Sequence, residues 1–436
     1  MDALAVLRDY IRIDTTNPPG GEGRAAQFLA ERLERLGLEP QILEDPAGRA
    51  NVVARLRGAG DPSDALCLLH HMDVVPADAD EWSVEPFAAD VRDGYVWGRG
   101  ALDTKSLGVM QLAAIEALVR GGVTPARDVL YVANADEEAG GSHGAGWLCQ
   151  AHPDLVSCAW VLNEGGFGVS EVLPGVSTFG VAVSEKAIVW LRLRAVGRPG
   201  HGSTPHDEQA VERLLAALAD IAKPRPLRVT PVVATGFREL AAHASTSVKT
   251  AVDALTSQAG RTVVSLAGSP LAGALPPGLR ALLRDTVTVT NVHAGYKENV
   301  IPGKAEAVVD CRLLPDTDVD AFIADIVRRA GKHQVEADVL LRGQPHGVDQ
   351  GGEMLGWIRA AAEEHVPDVI VSETICPGFT DSRFFRELGA KCVGLTPAVV
   401  TREVMQGFHG VDERLPLEGL ELGCRMVGSI VRRAVL

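Results

Sequence analysis

The run His70-His71-Met72-Asp73 closes an apolar stretch, Ala65-Leu66-Cys67-Leu68-Leu69, that reads as a buried strand. Imidazole and carboxylate are costly to bury unless a partner compensates for their lost hydration. His71 and Asp73 stand two positions apart and project to one side of a strand. That suits an imidazole that binds a metal through one ring nitrogen and donates from the other to a carboxylate. His70 projects the other way and reads as structural. Two further predicted strands also end in acids: "DVLYVANA" runs into Asp136-Glu137-Glu138, and "AWVL" runs into Asn163-Glu164. Between them Asp103 occupies a glycine-flanked loop, "VWGRGALDTKS", just before a helix.

Each residue has a plainer explanation. A carboxylate between strand and helix is commonly an N-cap, which competes for Asp103 and Glu138 taken singly. A lone histidine is more often structural than a ligand. Accumulation along one sheet edge favours chemistry instead. If extended, Glu137 and Glu138 point to opposite sides, so one can hold a metal while the other takes a proton from water. A metal-acidified water beside a free glutamate is what amide hydrolysis requires. Hard oxygen ligands with imidazole suit zinc, with cobalt or manganese as substitutes.

These residues need a scaffold that brings strand ends together. From Asp2 to Gly37 the pattern is helical on both sides of a turn at "TTNPPGG". Strands "NVVARLRG", "ALCLLH", "DVLYVANA" and "CAWVLNEGG" then alternate with the helix "SLGVMQLAAIEALVRGG". This predicts an α/β domain with a mostly parallel mixed sheet, whose ligands gather at the carboxyl ends of strands. After Ser184 the texture changes to a smaller α+β unit. It holds strands "AIVWLRLRAVG", "TVTVTNVHAG", "AEAVVDCRLLP" and "EADVLLRG" with helices "DEQAVERLLAALADIAK" and "VDAFIADIVRRAG". Within it, Thr246 to Gly278 lacks strong periodicity. The expected division is a catalytic domain of residues 1–184 and 345–436 with residues 185–344 inserted.

The chain has 436 residues, 46% hydrophobic and 23% charged, enough for two domains. Lys plus Arg total 42 against 57 Asp plus Glu, and the net charge of −15 argues against nucleic acid or an anionic membrane as partner. Seven widely spaced cysteines without a C-x-x-C pair suit reduced thiols in the cytoplasm. No signal-peptide pattern opens the chain, and no apolar run approaches roughly 18 residues, so a membrane location is not expected.

The segments "HHMDVVP", "GRGALDTK", "NADEEAGGSHGA", "NEGG", "GRPGHGSTPH", "NVIPGKAEAVVDCRLLP", "GFTDSRFF" and "FHGVDERLP" resemble, in order, the signatures of a known family. It is the dinuclear zinc family of aminoacylase, glutamate carboxypeptidase and succinyl-diaminopimelate desuccinylase. The resemblance implies a zinc-exopeptidase-like catalytic domain with an inserted lid and dimerisation domain. It implies two zinc ions bridged by Asp103, one also held by His71 and Glu164, the other by Glu138 and His409. Glu137 would be the general base and Asp73 the support of His71. A cis peptide between Asp103 and Thr104 is expected on the same ground. In the inserted unit His201 resembles a histidine that polarises the scissile carbonyl from a neighbouring subunit of a homodimer. Arg312 and Asn291 resemble groups that hold a substrate carboxylate, for which arginine's planar fork is suited. Gly378 and Thr380, taken as catalytic-domain residues, match a substrate-facing loop. Surface or packing roles are expected for His206, His293 and Arg383.

Asn163 departs from the aspartate of many aminoacylase-like members, and glutamate at position 164 leans toward the aminoacylase and desuccinylase branches. The implied activity is hydrolysis of N-acyl amino acids or short peptides with a free carboxylate. The alternatives are a dipeptidase of the same family or a non-catalytic relative that binds peptide or metal. A dinuclear phosphoesterase would need more cationic donors around three phosphoryl oxygens than one such arginine provides.

Overall fold

The computed structural model describes residues 1–173, 176–344 and 351–436. The chain begins with helices α1 (Ala3–Ile11) and α2 (Gly23–Arg35), then strands β1 (Gln41–Glu44), β2 (Ala50–Leu56) and β3 (Leu66–His71). Helix α3 (Lys105–Gly121) leads to β4 (Val129–Asn134), β5 (Trp160–Leu173) and β6 (Val176–Glu185). The second texture supplies β7 (Ala187–Val196), α4 (Ala210–Ile221), α5 (Thr246–Thr256), α6 (Gln258–Ala274), β8 (Thr286–Ala294), β9 (Lys304–Leu313), α7 (Val319–Lys332) and β10 (Val335–Arg342). The closing stretch contributes β11 (Ile370–Cys376), β12 (Lys391–Val400) and the terminal helix α8 (Leu417–Val435). Among the described residues no helix is long and apolar enough to cross a membrane.

The large sheet runs β1-β2-β4-β3-β5-β12-β6-β11. Its four central strands, β4, β3, β5 and β12, are mutually parallel, and antiparallel strands flank them. The centre of such a sheet is covered on both faces, which is why β3 reads as Leu-Cys-Leu-Leu without alternation and is buried throughout. Helix α3 lies close against it. A side chain at Gly108 would stand 2.3 Å from the His70 ring, so only glycine permits that approach.

The chain divides into two compact units, Met1–Val183 with Asp349–Thr374 and Thr380–Leu436, and Ser184–Val348 with Ile375–Phe379. The expected return at residue 345 lies outside the described residues. The second unit carries an antiparallel sheet in the order β8-β9-β7-β10. Along β9, Ala305, Ala307, Val309, Cys311 and Leu313 point inward, and alternate positions are more exposed, the period-two pattern of a sheet covered on one side. Leu214 and Ile221 of α4 and Phe322 and Ile326 of α7 complete that core.

The stretch from Thr246 departs from expectation, because it forms α5 and α6. These helices leave Val248, Leu255, Val263 and Leu266 exposed. In α5 the apolar residues Val248, Ala251, Val252 and Leu255 do recur at helical spacing, but the glycines and prolines of the surrounding stretch masked that period in the sequence.

Candidate dinuclear metal centre

The carboxyl ends of β3 and β4, the early part of β5 and the loop before α3 supply His71, Asp103, Glu137, Glu138 and Glu164; β5 does not end at Asn163-Glu164 as expected but runs on to Leu173. Donor atoms of His71, Asp103 and Glu138 lie within 4.8 Å of one another, as do those of His71, Glu137 and Glu164. Asp103 faces both ways. Its Oδ1 is 3.0 Å from His71 Nε2 and its Oδ2 is 2.9 Å from His409 Nε2. Each imidazole has one glutamate beside it, with Glu164 Oε1 3.5 Å from His71 and Glu138 Oε2 3.2 Å from His409. The cluster thus forms two half-sites sharing one aspartate. The peptide bond between Asp103 and Thr104 is cis.

These distances fit cation ligation. Donors around one tetrahedral zinc, each at about 2.0–2.1 Å, stand about 3.3 Å apart. His71 Nδ1 lies 2.8 Å from the carbonyl of Asp73, an acceptor only, so Nδ1 carries a proton and Nε2 is left to meet the carboxylates. Glu138 Oε1 is buried without a hydrogen-bond partner among the described residues. Burial, then neighbouring carboxylates, raise the acids Glu137, Glu138 and Glu164 above their ordinary range. Burial opposes a charge on His409, yet Asp103 and Glu138 push it up to about 10. His71 rises likewise through Glu164 and Asp103 against the opposing effect of burial. Asp103 is held well below the carboxylate range, since the two imidazoles outweigh its burial. The pocket therefore holds surplus negative charge, which a cation would neutralise.

Two expectations need correction. The closest partner of His71 Nδ1 is the Asp73 backbone carbonyl, and the Asp73 carboxylate is farther, at 3.5 Å. The strand ends at His71, so Asp73 no longer follows the two-residue alternation. Its carboxylate instead accepts from Glu137 N–H at 3.1 Å, Glu138 N–H at 3.2 Å and Asn17 Nδ2 at 2.8 Å. Nor are Glu137 and Glu138 extended. They lie on a 3₁₀ turn entered through Asp136 at φ 67°, a left-handed conformation that aspartate tolerates.

Several supporting residues carried no signal in the sequence reading. Asn17 links Asp73 to Asp136, and Arg49 binds Asp136 at 3.0 Å and also Glu22. Asp381 accepts from Asn134, and burial pushes its carboxyl up to about 7. Asn163 donates to Ser382 Oγ at 3.1 Å. His70 is buried beside Tyr10 and Tyr131, and burial lowers its pKa to about 3, in keeping with a structural role.

In the second unit His201 is exposed, and its Nδ1 accepts from Ser203 N–H at 3.2 Å, so the proton resides on Nε2. Arg312 is engaged by Asp310 in a bidentate pair at 2.8 and 2.9 Å and stacks over Phe379. Asn291 and His293 are exposed on β8. Gly378 groups with the second unit, not with the catalytic unit as expected, and Thr380 with the first. Thr380 Oγ1 is buried and accepts from Ser382 N–H at 3.2 Å. His206 Nδ1 accepts from Glu208 N–H, and Arg383 packs on Phe384 while donating to the Gly140 carbonyl.

Residues 67–433 match the model of Peptidase family M20/M25/M40. The N-fatty-acyl-amino acid synthase/hydrolase PM20D1 of Xenopus tropicalis is 32% identical over 366 residues, covering 81% of this chain and 69% of its own. Aminoacylase-1 of Sus scrofa is 27% identical over 437 residues, covering 98% of this chain and 95% of its own. Among solved structures, an M20 family metallo-carboxypeptidase of Sulfolobus solfataricus superposes with a TM-score of 0.75 at 17% identity, over 100% of this chain and 99% of its own.

Proposed function

The chain belongs to peptidase family M20/M25/M40 and is a hydrolase of carbon–nitrogen bonds, and from that premise we propose that it cleaves N-acyl amino acids or short peptides bearing a free carboxylate, with two zinc ions. The observation that carries this reading is Asp103 set between two imidazoles, each accompanied by one glutamate. In it, Asp103, His71 and Glu164 hold one cation, and Asp103, His409 and Glu138 hold the other. Cobalt or manganese would fit the same donors. When bound, the cations supply Lewis acidity to water and to the scissile carbonyl.

Glu137 accepts the proton of the attacking water on its carboxylate and returns it to the departing amine as the C–N bond breaks. Asp73, by binding the amides of Glu137 and Glu138, holds the base and a ligand in fixed relation. The proton on His201 Nε2 suits donation to the tetrahedral oxyanion. We assign this histidine to a partner subunit of a homodimer joined through the inserted unit. Arg312 receives the substrate carboxylate through the part of its fork that Asp310 leaves open, with Asn291, Gly378 and Thr380 lining the substrate. The names of both relatives, one acting on N-fatty-acyl amino acids and one an aminoacylase, support an acylated amino acid over a longer peptide. Seven free thiols suit the reducing cytoplasm.

A hydrolysis screen of N-acyl amino acids and dipeptides with the zinc-loaded chain tests the reading. Turnover is expected for free acids and not for their carboxyl amides. Equal rates on both would remove the carboxylate requirement, and no turnover on any would remove the activity.

A further inference from the structure

We infer that Glu413 is a positioning residue that sets the separation of the two half-sites. It lies four residues beyond His409 and is fully buried. Its Oε1 accepts from the backbone N–H groups of Leu102 at 2.6 Å and Asp103 at 3.0 Å. Its Oε2 accepts from Gly100 N–H at 3.1 Å and from Arg99 Nη1 at 2.7 Å. Its own carbonyl accepts from Gly98 N–H at 2.9 Å. The loop that carries Asp103 is thus hung, almost residue by residue, on one side chain rooted in the loop that carries His409.

Arg99 extends the brace. Its Nη2 donates to the carbonyl of Gly410 at 2.8 Å, next to His409, and to that of Pro76 at 3.4 Å, just beyond His71 and Asp73. One carboxylate and one guanidinium therefore tie together the loop that follows His71, the loop that carries Asp103 and the loop that carries His409. The chemistry requires this pair. Two oxygens with four lone pairs can accept four donors, and only a guanidinium presents donors to a carboxylate and two carbonyls from one rigid plane. Asp103 serves both half-sites only while its carboxylate stands between the two imidazoles, so the loop's height above His409 decides whether the second half-site closes.

The inference rests on the two-cation reading, and zinc titration of the metal-free full chain, followed by cobalt absorption spectra, separates the two. Glu413→Gln keeps the shape but turns an amide toward N–H donors, forcing the loop away. One of the two cations should then bind about 10–100-fold more weakly, as outer supports of metal ligands typically require. The other should stay within about threefold of the unmutated chain, and the cobalt spectrum should become that of a single site. His409→Ala should weaken the same cation, with little further loss in the double variant. A purely structural role would lower both affinities together or neither. Either result, in a Glu413→Gln chain with unmutated circular dichroism, overturns the assignment while leaving the two-cation reading intact. Should Glu413→Gln fail to fold, Arg99→Lys keeps the charge but cannot span Gly410 and Pro76, and about tenfold weakening of one cation is expected. Unchanged affinities there would overturn the assignment too. An unmutated chain that binds fewer than two cations would remove the reading and the inference with it.

Discussion

The carboxylate and imidazole cluster of the first unit and the charged groups of the second solve the same problem in opposite ways. Around Asp103, four carboxylates of Asp103, Glu137, Glu138 and Glu164 meet only two imidazoles, and Glu138 Oε1 has no partner among the described residues. In the second unit opposite charges are matched, even though Arg194 Nε and Arg225 Nε and Nη2 have no hydrogen-bond partner of their own among the described residues. Arg312 is paired with Asp310, Arg194 with Asp338, and Asp325 with Arg225, Arg328 and Arg329. A cluster whose carboxylates outnumber its cations leaves charge for something brought from outside, whereas ion pairs matched in charge leave none. Arg312 shows the consequence. On the reading proposed above, a substrate carboxylate would meet only the part of the fork that Asp310 leaves open.

The largest effect that would test this contrast is Asp103→Ala. It removes the one ligand common to both half-sites, so both cations should be lost and turnover should fall below detection, as elemental analysis and an activity assay would show. Retention of both cations would place the bridging role elsewhere. Glu137→Gln comes next. Turnover should fall by on the order of 10²–10⁴-fold, the range for a general base, with two cations still bound. Loss of zinc from that variant would mean that Glu137 is a ligand and Glu138 the base.

A smaller effect is expected in the second unit. Arg312→Lys keeps the charge but loses the planar fork, both toward Asp310 and toward substrate. KM for free-acid substrates should rise about tenfold, roughly 1.4 kcal/mol, with kcat nearly unchanged. A fall in kcat with unaltered KM would argue that the residue supports the fold only.

The smallest effect concerns Asp325, whose pKa its arginine partners lower to about 2 against the opposing effect of burial. A depressed carboxylate pKa stabilises the fold above the unfolded value of about 3.9 and stops doing so as pH falls through the folded value. Asp325→Asn should therefore cost roughly 1 kcal/mol at pH 7 after solvent screening of a partly exposed pair. In urea unfolding that difference should shrink between about pH 4 and pH 2. A difference that grew on acidification would contradict the assignment.

Much of the site could be read from residue order because β3, β4 and the start of β5 are buried and parallel, so their apolar runs are unmistakable and the residues that follow them collect on one edge, although β5 itself continues to Leu173. What depended on local backbone could not. Asp136 at positive φ turns Glu137 and Glu138 away from strand geometry and into reach of Asp73, and nothing in "NADEEAGG" announces it. Asn17 reaches Asp73 across 56 positions of sequence, beyond any periodicity argument. The pairing of Asp310 with Arg312, two apart on one face of a strand, went unread in the sequence. Helices α5 and α6 were not read, because Gly260, Gly268, Pro270 and Gly273 outweighed the helical spacing of Val248, Ala251, Val252 and Leu255.

The order of strands in the large sheet also bears on how the protein is made. β5 needs β12 as its parallel neighbour, and some 220 residues of chain, the second unit among them, separate the end of one from the start of the other. A ribosome adding about 5–20 residues each second exposes nearly the whole second unit before β12 and His409 emerge. The inserted unit can therefore condense while the sheet that frames it still has an open edge, and the half-site containing His409 is among the last parts of the molecule to exist. During that interval β5 has β6 beside its distal half only, and the edge from Trp160 to Asn163 still lacks its parallel neighbour.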